Sequence, residues 1–316
     1  MSSNTAYEEL AARFHRIAVI GDALGILHWD QATLMPDGSA PARAEQLATL
    51  SVLSHELQTE PAIGELLEAS QTADGDDWQT ANLREMRRIY LHATAVPADL
   101  VDARSRANAA CELEWRSPRA DNDFKRLLPS LEEVLRLTRE VAAAKSEALG
   151  LSPYDALLDT YEPGARSAAI DVIFAEHAAF LPGFLQEVLD FQRSRPTPVP
   201  PEGPFPTDTQ RALGRQLMRA VGFDFDRGRL DVSHHPFCGG STGDIRITTR
   251  YDEEDFTSSL MGVLHETGHA MYEAGLPEAW RYQPVGGALG MAIHESQSLL
   301  IEMQVCRSRP FLTYAG

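Results

Sequence analysis

Apolar residues recur at three- and four-residue spacing along most of the chain, with charged residues between them. This spacing is typical of one buried face of an α-helix, so the pattern predicts a mainly α-helical protein. The predicted helices span 5–28, 41–58, 78–92, 97–116, 121–149, 167–193 and 207–221, followed by 255–274 and 287–308.

Two short stretches depart from the helical pattern. In 229–237 and 244–252, β-branched residues alternate with other residues, and the turn-rich sequence CGGSTG lies between them at 238–243. Alternation with a period of two is typical of β-strands. The pattern therefore predicts an antiparallel β-hairpin beside the helix 255–274.

A proline-rich run, RSRPTPVPPEGPFPTD, occupies 193–208. Proline interrupts both helices and central strands, so this run is expected to be an extended connector. It separates an N-terminal helical region, 1–192, from a region at 209–316 that contains the hairpin and the last two helices. We expect the two regions to form one cooperative unit.

Composition narrows the range of partners. The chain has 316 residues and a formal net charge of −18, which repels a phosphate backbone, so no nucleic-acid partner is expected. No run of about 18 uncharged apolar residues is evident, and the N-terminus lacks the basic and apolar regions of a secretion signal. We therefore expect no membrane span and a cytoplasmic location. The isolated cysteines Cys111, Cys238 and Cys306 fit a reducing compartment.

The sequence HETGH at 265–269 carries the strongest chemical signal. Residues at i and i+4 project from the same helix face, so His265 and His269 could offer two imidazole nitrogens to one metal ion. Glu266 follows the first histidine, where a carboxylate could accept the proton of a water activated by that ion. The same five residues can also arise by chance in an ordinary helix, and a third ligand decides between these interpretations.

Glu295 is the candidate third ligand. It lies 26 residues beyond His269, about the distance needed to finish one helix, turn and return along it. The apolar stretch VGGALGMAI precedes the pair His294-Glu295 and predicts a buried carboxylate, which would need a cation. A glutamate on an amphipathic helix is more often part of a solvated face. His294 is expected to point about 100° away from Glu295 and not to share its ion.

Taken together, these motifs resemble a known family. HETGH followed by HESQS at this spacing, with HPF at 235–237 and the DxRxT pattern DIRIT at 244–248 before them, is similar to the carboxypeptidase Taq family of metallocarboxypeptidases. The stretch HWDQATLMPDGSAPARAEQLATLS at 28–51 is similar to that family too, so the resemblance covers nearly the whole chain.

The resemblance implies a function for the candidate residues. His265, His269 and Glu295 would be the metal ligands and Glu266 the general base. The implied ion is Zn²⁺, with Co²⁺ as an alternative. The implied activity is the removal of single residues from the C-terminus of peptide substrates.

The resemblance also implies a fold and a substrate site. The fold would be mainly α and zincin-like, with a deep groove between two helical walls, a small hairpin beside the HExxH helix, and assembly as a homodimer. Asp244, Arg246 and Thr248 match the DxRxT pattern, which lies beside the cleft in the family, and are predicted to bind substrate. The strand 244–251 could pair at its edge with the substrate backbone.

Part of the family pattern is missing. Family enzymes are longer, and neither their IRxxAD motif, whose arginine is thought to hold the substrate's terminal carboxylate, nor their GxxQ motif occurs after Glu295. Arg246, Arg250 and Arg281 are the nearby cations, although each is more often part of a structural ion pair or an exposed surface. The apolar surface left uncovered would be buried by dimerisation or by a separately encoded second half.

Three functions therefore stay open. The first is a metallocarboxypeptidase. The second is a shortened, catalytically incompetent relative that binds metal and acts as a binding or regulatory module, or that needs a separate C-terminal half. The third is a structural helical domain without a metal.

Overall fold

The structure is a computed structural model that describes the backbone of residues 3–70 and 76–315 and their side chains except those of 3, 4 and 116–121. It confirms the mainly helical prediction. The helices are α1 (Ser3–Thr33), α2 (Ala40–Gln58), α3 (Pro61–Ala69), α4 (Asp77–Thr94), α5 (Ala98–Asp121), α6 (Phe124–Leu149), α7 (Pro153–Tyr161), α8 (Ser167–Arg193), α9 (Thr207–Val221), α10 (Phe256–Ala274), α11 (Met291–Leu299) and α12 (Arg309–Ala315).

Short helical segments account for the main differences from the prediction. Helices α3 and α7 have nine residues each, too few turns for a clear period, and both begin with a proline. The predicted helix 287–308 starts later, because Gly290 adopts a φ of 84° just before α11. A π-helical segment, Leu300–Val305, then follows α11.

Three strands form one small mixed sheet in the order β1, β3, β2. They are β1 (Gly228–Val232), β2 (Cys238–Ser241) and β3 (Asp244–Thr249). β3 pairs antiparallel with β2 and parallel with β1. The predicted hairpin exists, but its first strand lies within the stretch predicted as the turn, and 229–232 does not belong to it. Alternation reports a strand but not the direction of its pairing.

The position of β3 corrects one expectation about the substrate. β3 is hydrogen-bonded on both sides, so it has no edge to offer to a substrate backbone. An added strand would have to pair with β1 or β2. Helix α1 packs closely on β2, since a β-carbon on Gly25 would lie 2.3 Å from the carbonyl oxygen of Gly240.

Among the described residues, two of the three groups of buried side chains position the helices around the site. One joins α1, α3 and α4 through residues such as Leu10, Ile63 and Met86. The other joins α9, β3 and α10 through residues such as Met218 and Ile247. The second group fixes α10, which carries the HETGH sequence, between the sheet and α9.

The proline-rich run from 194 to 206 contains neither helix nor strand. The division into regions on either side of it stays a prediction. Helix α8, which precedes the run, has no buried residue along its 27 residues. Its exposed large apolar side chains are Val172, Ile173, Phe174, Phe180, Leu181, Phe184, Leu185, Leu189 and Phe191.

Helix α8 also corrects the expectation that no segment approaches a membrane span. By length and composition it is apolar enough to cross a membrane, with a mean hydropathy of 1.4 over an 18-residue window. Its few charged residues and Pro182 interrupt the apolar run, but the mean hydropathy of the window still stays in the range of membrane-spanning helices. This property follows from the length and composition of the helix alone.

Candidate metal centre

Helix α10 begins and packs in a way that fixes the orientation of HETGH. Asp255 caps its start, since its side chain accepts a hydrogen bond of 2.9 Å from the backbone N–H of Thr257. Val263, Leu264 and Ala270 are buried against neighbouring elements. Because that side of the helix packs in the core, His265 and His269 lie on the partly exposed side that faces α11.

The structure brings the three predicted ligands together. Nε2 of His265 lies 3.6 Å from Oε1 of Glu295, and Nε2 of His269 lies 3.4 Å from Oε2 of the same carboxylate. One ligand atom from each of the three residues lies within 4.8 Å of the others. His294, as expected, does not join this group. Its ring stacks on that of His269 at 4.5 Å, and its Nε2 lies 2.8 Å from Oε1 of Glu273.

The surroundings of Glu295 differ from the expectation. Its side chain is 49% exposed and therefore not the buried carboxylate that the preceding apolar stretch predicts. That stretch is largely non-helical or exposed, including a 3₁₀ turn at Pro284–Gly286. Glu295 reaches the histidines because of the direction in which α11 returns, not because the core encloses it.

A close approach of two helix backbones makes this geometry possible. Gly268, in the middle of HETGH, faces α11, and a β-carbon on it would lie 2.5 Å from the carbonyl oxygen of Gln297 and from Cα of Ser298. Any other residue would hold the helices apart. Gly268 was not among the residues predicted to matter for the site, although a glycine inside a helix costs about 1 kcal/mol relative to alanine and is a signal for such packing.

Glu266 is buried, with 7% of its surface exposed. Its carboxyl has a pKa raised to about 7, mainly by burial; His265 lowers this pKa and Glu295 raises it. A cation in the site would lower this pKa again. Burial also lowers the pKa of His269, as do the neighbouring His294 and His265 rings, which favours the neutral imidazole that binds metals.

One further carboxylate reaches the site and was missed from the sequence. Oε2 of Glu302 lies 3.0 Å from Nδ1 of His265. It sits in the π-helical segment after α11, seven residues beyond Glu295. Its i+7 spacing from Glu295 was the signal available in the sequence, because that spacing returns to the same helix face.

The three residues of the DxRxT pattern lie in the sheet. Nε of Arg246 donates a 2.9 Å hydrogen bond to Asp244, and its guanidinium lies over the Trp29 ring at 4.5 Å. The Thr248 side chain is fully buried and lies 2.7 Å from the hydroxyl of Ser233. These contacts give each residue a structural role, and a role in substrate binding stays a prediction.

A cavity of about 740 Å³ lies next to the metal-ligand group. It is bounded by α1, β2, the end of α10 and the segment before α11, and its lining includes Glu273, Arg281 and His294. The three ligand candidates do not line it. It is connected to them through His294, whose ring stacks on His269. Of the three arginines predicted as possible anchors, Arg281 is the one in this lining.

The family to which this chain belongs follows from its similarity to known protein families. Residues 9–316 match the model of the family described as carboxypeptidase Taq (M32) metallopeptidase. The chain belongs to the carboxypeptidase Taq family. It is 38% identical to thermostable carboxypeptidase 1 of Thermus thermophilus over 98% of the chain. It is 31% identical to thermostable carboxypeptidase 1 of Pyrococcus furiosus, also over 98% of the chain.

Solved structures of the carboxypeptidase Taq family have the same fold. Trypanosoma cruzi metallocarboxypeptidase 1 superposes with a TM-score of 0.86 and 41% identity over 96% of the chain. The M32 carboxypeptidase of Deinococcus radiodurans superposes with a TM-score of 0.81 and 35% identity over 96% of the chain. The chain spans 61–63% of the length of these four relatives.

The donor set fits the metal ion that a carboxypeptidase Taq metallopeptidase implies. Two imidazole nitrogens and one carboxylate form one of the three-ligand sets found in catalytic zinc sites. Two atoms bound tetrahedrally at about 2.0–2.1 Å from one ion are about 3.4 Å apart. The distances from Glu295 to the two histidines, 3.4 and 3.6 Å, are close to this value. The residues present are therefore compatible with a single small ion.

Proposed function

We propose that this chain carries the catalytic centre of a metal-dependent carboxypeptidase that hydrolyses C-terminal residues from peptides. The observation that carries the proposal is the convergence of His265, His269 and Glu295 next to the buried carboxylate of Glu266, in a member of the carboxypeptidase Taq family. The metal ligands would be the two histidines and Glu295.

The proposed cofactor is Zn²⁺, with Co²⁺ as an alternative. Imidazole binds both ions, and a ligand set of two nitrogens and one oxygen does not discriminate between them. When bound, such an ion activates a water molecule and polarises the scissile carbonyl. The open side of the site, where Glu295 is half exposed, leaves room for water and substrate.

Glu266 is the proposed general base. Burial raises the pKa of its carboxyl, which makes it a stronger proton acceptor than an exposed glutamate, while a cation in the site would lower that pKa and favour release of the proton. It takes the proton of the attacking water at a carboxylate oxygen and passes it to the nitrogen of the leaving amine. Its burial keeps bulk water from competing for that proton.

Arg281 is the proposed partner of the substrate's terminal carboxylate. It lines the cavity beside His294, and its guanidinium lies 3.5 Å from a carboxylate oxygen of Glu278. A guanidinium can bind a carboxylate through two parallel hydrogen bonds, which would select peptides with a free C-terminus. Asp244, Arg246 and Thr248 are held in internal contacts and are weaker candidates for this task.

A second candidate function has its own support. The chain spans less than two thirds of its relatives' length, and α8 exposes a long apolar surface. The exposed apolar surface favours a metal-binding relative that is inactive by itself, acts as a binding or regulatory module, or needs a further polypeptide to complete the groove.

Peptide digestion separates these functions. The purified chain is incubated with Zn²⁺ or Co²⁺ and with matched peptides that carry a free or an amidated C-terminus. Release of C-terminal residues from the free peptides only is the expected result. Cleavage of both peptides would indicate an endopeptidase without an anchor. Stoichiometric metal binding with no cleavage would favour the inactive relative, and no metal binding would leave a structural domain.

We also propose that the protein is a cytoplasmic homodimer without nucleic-acid or membrane partners. The apolar side chains of α8 provide a surface that a second copy could cover. Light scattering of the unaltered chain and of the Phe180→Asp variant tests the dimer. A dimer that becomes a monomer in the variant is expected. A monomer that binds lipid vesicles through α8 would contradict the proposal.

A further inference from the structure

One imidazole of the candidate metal centre is approached on both nitrogens by carboxylates from the same helical stretch. Glu295 approaches Nε2 of His265 at 3.6 Å, and Glu302 approaches Nδ1 at 3.0 Å. The shorter distance is that of a hydrogen bond, whereas the longer one is not. The two carboxylates therefore have different relationships with the same ring.

The backbone explains how one stretch presents two carboxylates in different ways. In an unbroken α-helix, a residue seven positions after Glu295 lies almost directly along the axis from it. Glu302 instead lies in the π-helical segment Leu300–Val305, where the N–H of Cys306 bonds to the carbonyl of Ile301 at 2.9 Å, five residues back. The wider turn rotates Glu302 relative to Glu295. Such π turns within helices often occur at functional sites.

Both oxygens of Glu302 have partners. Oε1 accepts a 2.6 Å hydrogen bond from Arg307, and Oε2 faces His265. A carboxylate held in this way acts as an acceptor, so the ring N–H that it faces must be on Nδ1. Nε2 is then left with its lone pair directed towards Glu295 and His269. The side chain of Glu302 is only 15% exposed, which limits competition from water.

We propose that Glu302 is a positioning residue of the metal centre. It fixes the tautomer and the ring orientation of His265, so that Nε2 is the nitrogen available to the ion. The proposal rests on the proposed function, because it assumes that His265 is a metal ligand. It assigns a task to a carboxylate that otherwise would serve only as an ion-pair partner of Arg307.

Metal affinity tests the proposal without relying on activity. The Kd for Zn²⁺ is measured by competition with a chelator for the unaltered chain and for Glu302→Ala, Glu302→Gln and Glu273→Gln. Glu273 provides the matched control, because it also contacts a histidine nitrogen, Nε2 of His294 at 2.8 Å, but that ring does not belong to the ligand group.

The variants should differ in a defined order. Loss of a ligand's hydrogen-bond partner typically weakens metal binding by about 10–100-fold, which is expected for Glu302→Ala. Glu302→Gln keeps an acceptor oxygen and should fall between Glu302→Ala and the unaltered chain, which is a partial rescue. Glu273→Gln should stay within about twofold of the unaltered chain. A Glu302→Ala affinity within twofold of the unaltered chain would overturn the proposal.

Nitrogen-15 NMR of the metal-free protein gives a second measurement. The neutral His265 ring should carry its proton on Nδ1 in the unaltered chain and show a mixture of tautomers in Glu302→Gln and Glu302→Ala. A ring protonated mainly on Nε2 in the unaltered chain would contradict the proposal. Circular dichroism confirms folding of each variant, and if Glu302→Ala fails to fold, Glu302→Gln and the tautomer of the unaltered chain decide the matter.

Failure of this proposal can be distinguished from failure of the proposed function. If the unaltered chain binds one ion but cleaves no peptide, the carboxypeptidase proposal fails, while the affinities of the Glu302 variants still decide the role of Glu302. If it binds and cleaves with unchanged affinity in Glu302→Ala, only the positioning role fails. If it binds no ion, both fail.

Discussion

Gly268 of α10 lies against Gln297 of α11 so closely that a β-carbon on the glycine would be 2.5 Å from the glutamine's carbonyl oxygen. This contact sets the distance between the helix that carries His265 and His269 and the helix that carries Glu295. The separation of the predicted ligands therefore depends on a residue that has no side chain.

Replacing Gly268 with alanine should separate the two helices. The added methyl group meets backbone atoms, which cannot rotate away, so we expect a loss of about 1–3 kcal/mol in the free energy of unfolding and weaker metal binding. Denaturant unfolding and a metal titration measure the two effects.

Gly262 of the same helix provides the control for this substitution. A β-carbon there would lie 3.7 Å from Cγ of Pro236, an ordinary contact. Gly262→Ala should therefore keep metal binding and gain up to about 1 kcal/mol from helix propensity. Equal effects of the two substitutions would contradict the close approach as the cause.

Glu266→Gln tests the proposed general base. Glutamine has nearly the same shape but cannot accept a proton from water, so hydrolysis should fall by about 10²–10⁴-fold. Metal content should be unchanged, because Glu266 does not belong to the ligand group. Peptide cleavage assays and metal analysis of the same samples measure both quantities. Unchanged hydrolysis in this variant would rule out the mechanism.

Glu295→Gln tests the third ligand. The substitution removes the negative charge that faces the Nε2 atoms of both histidines. Loss of a ligand's hydrogen-bond partner weakens metal binding by about 10–100-fold, and loss of a ligand itself should weaken Zn²⁺ binding by more than that. Because Glu295 is half exposed, the metal-free protein should unfold at nearly the same denaturant concentration as the unaltered chain. A change in stability without a change in metal affinity would contradict the assignment.

Lys145 does not belong to the candidate metal centre and provides a test of pH dependence. The residue is 8% exposed, and burial, assisted by Arg104 and Arg88 and opposed by Asp159, lowers its pKa from 10.5 to about 8. Below pH 8 the folded protein carries the full cost of a buried charge, roughly 3 kcal/mol for a shift of this size. Between pH 8 and 10.5 the unfolded state binds more protons, so this contribution to stability rises with pH.

Lys145→Met should remove both the cost and its pH dependence. At pH 7 we expect a gain of about 1–3 kcal/mol, reduced by loss of the 2.9 Å hydrogen bond to Thr160. The gain should shrink as the pH rises from 8 to 10.5. Lys125→Met in the same helix, at an exposed position, should change stability by less than about 0.5 kcal/mol at any pH. Urea unfolding at several pH values measures these differences, and a gain that does not depend on pH would contradict the assignment.

The sequence by itself determined the helical architecture and the candidate chemistry. Helical periodicity and the i, i+4 spacing of His265 and His269 are local properties, which hold wherever the helix lies in the fold. The spacing between HETGH and Glu295 also restricted the third ligand to the next helix, and the motifs together indicated the family.

Only the tertiary structure decided how these elements meet. The parallel pairing of β1 with β3, the exposure of Glu295, the contact of Gly268 with α11 and the reach of Glu302 to His265 all depend on residues distant along the chain. Periodicity reports which face of an element is apolar, but not which neighbour that face meets or how closely. For that physical reason the sequence could name the candidate residues of the site, whereas their distances and hydrogen bonds followed from the packing of α10 against α11.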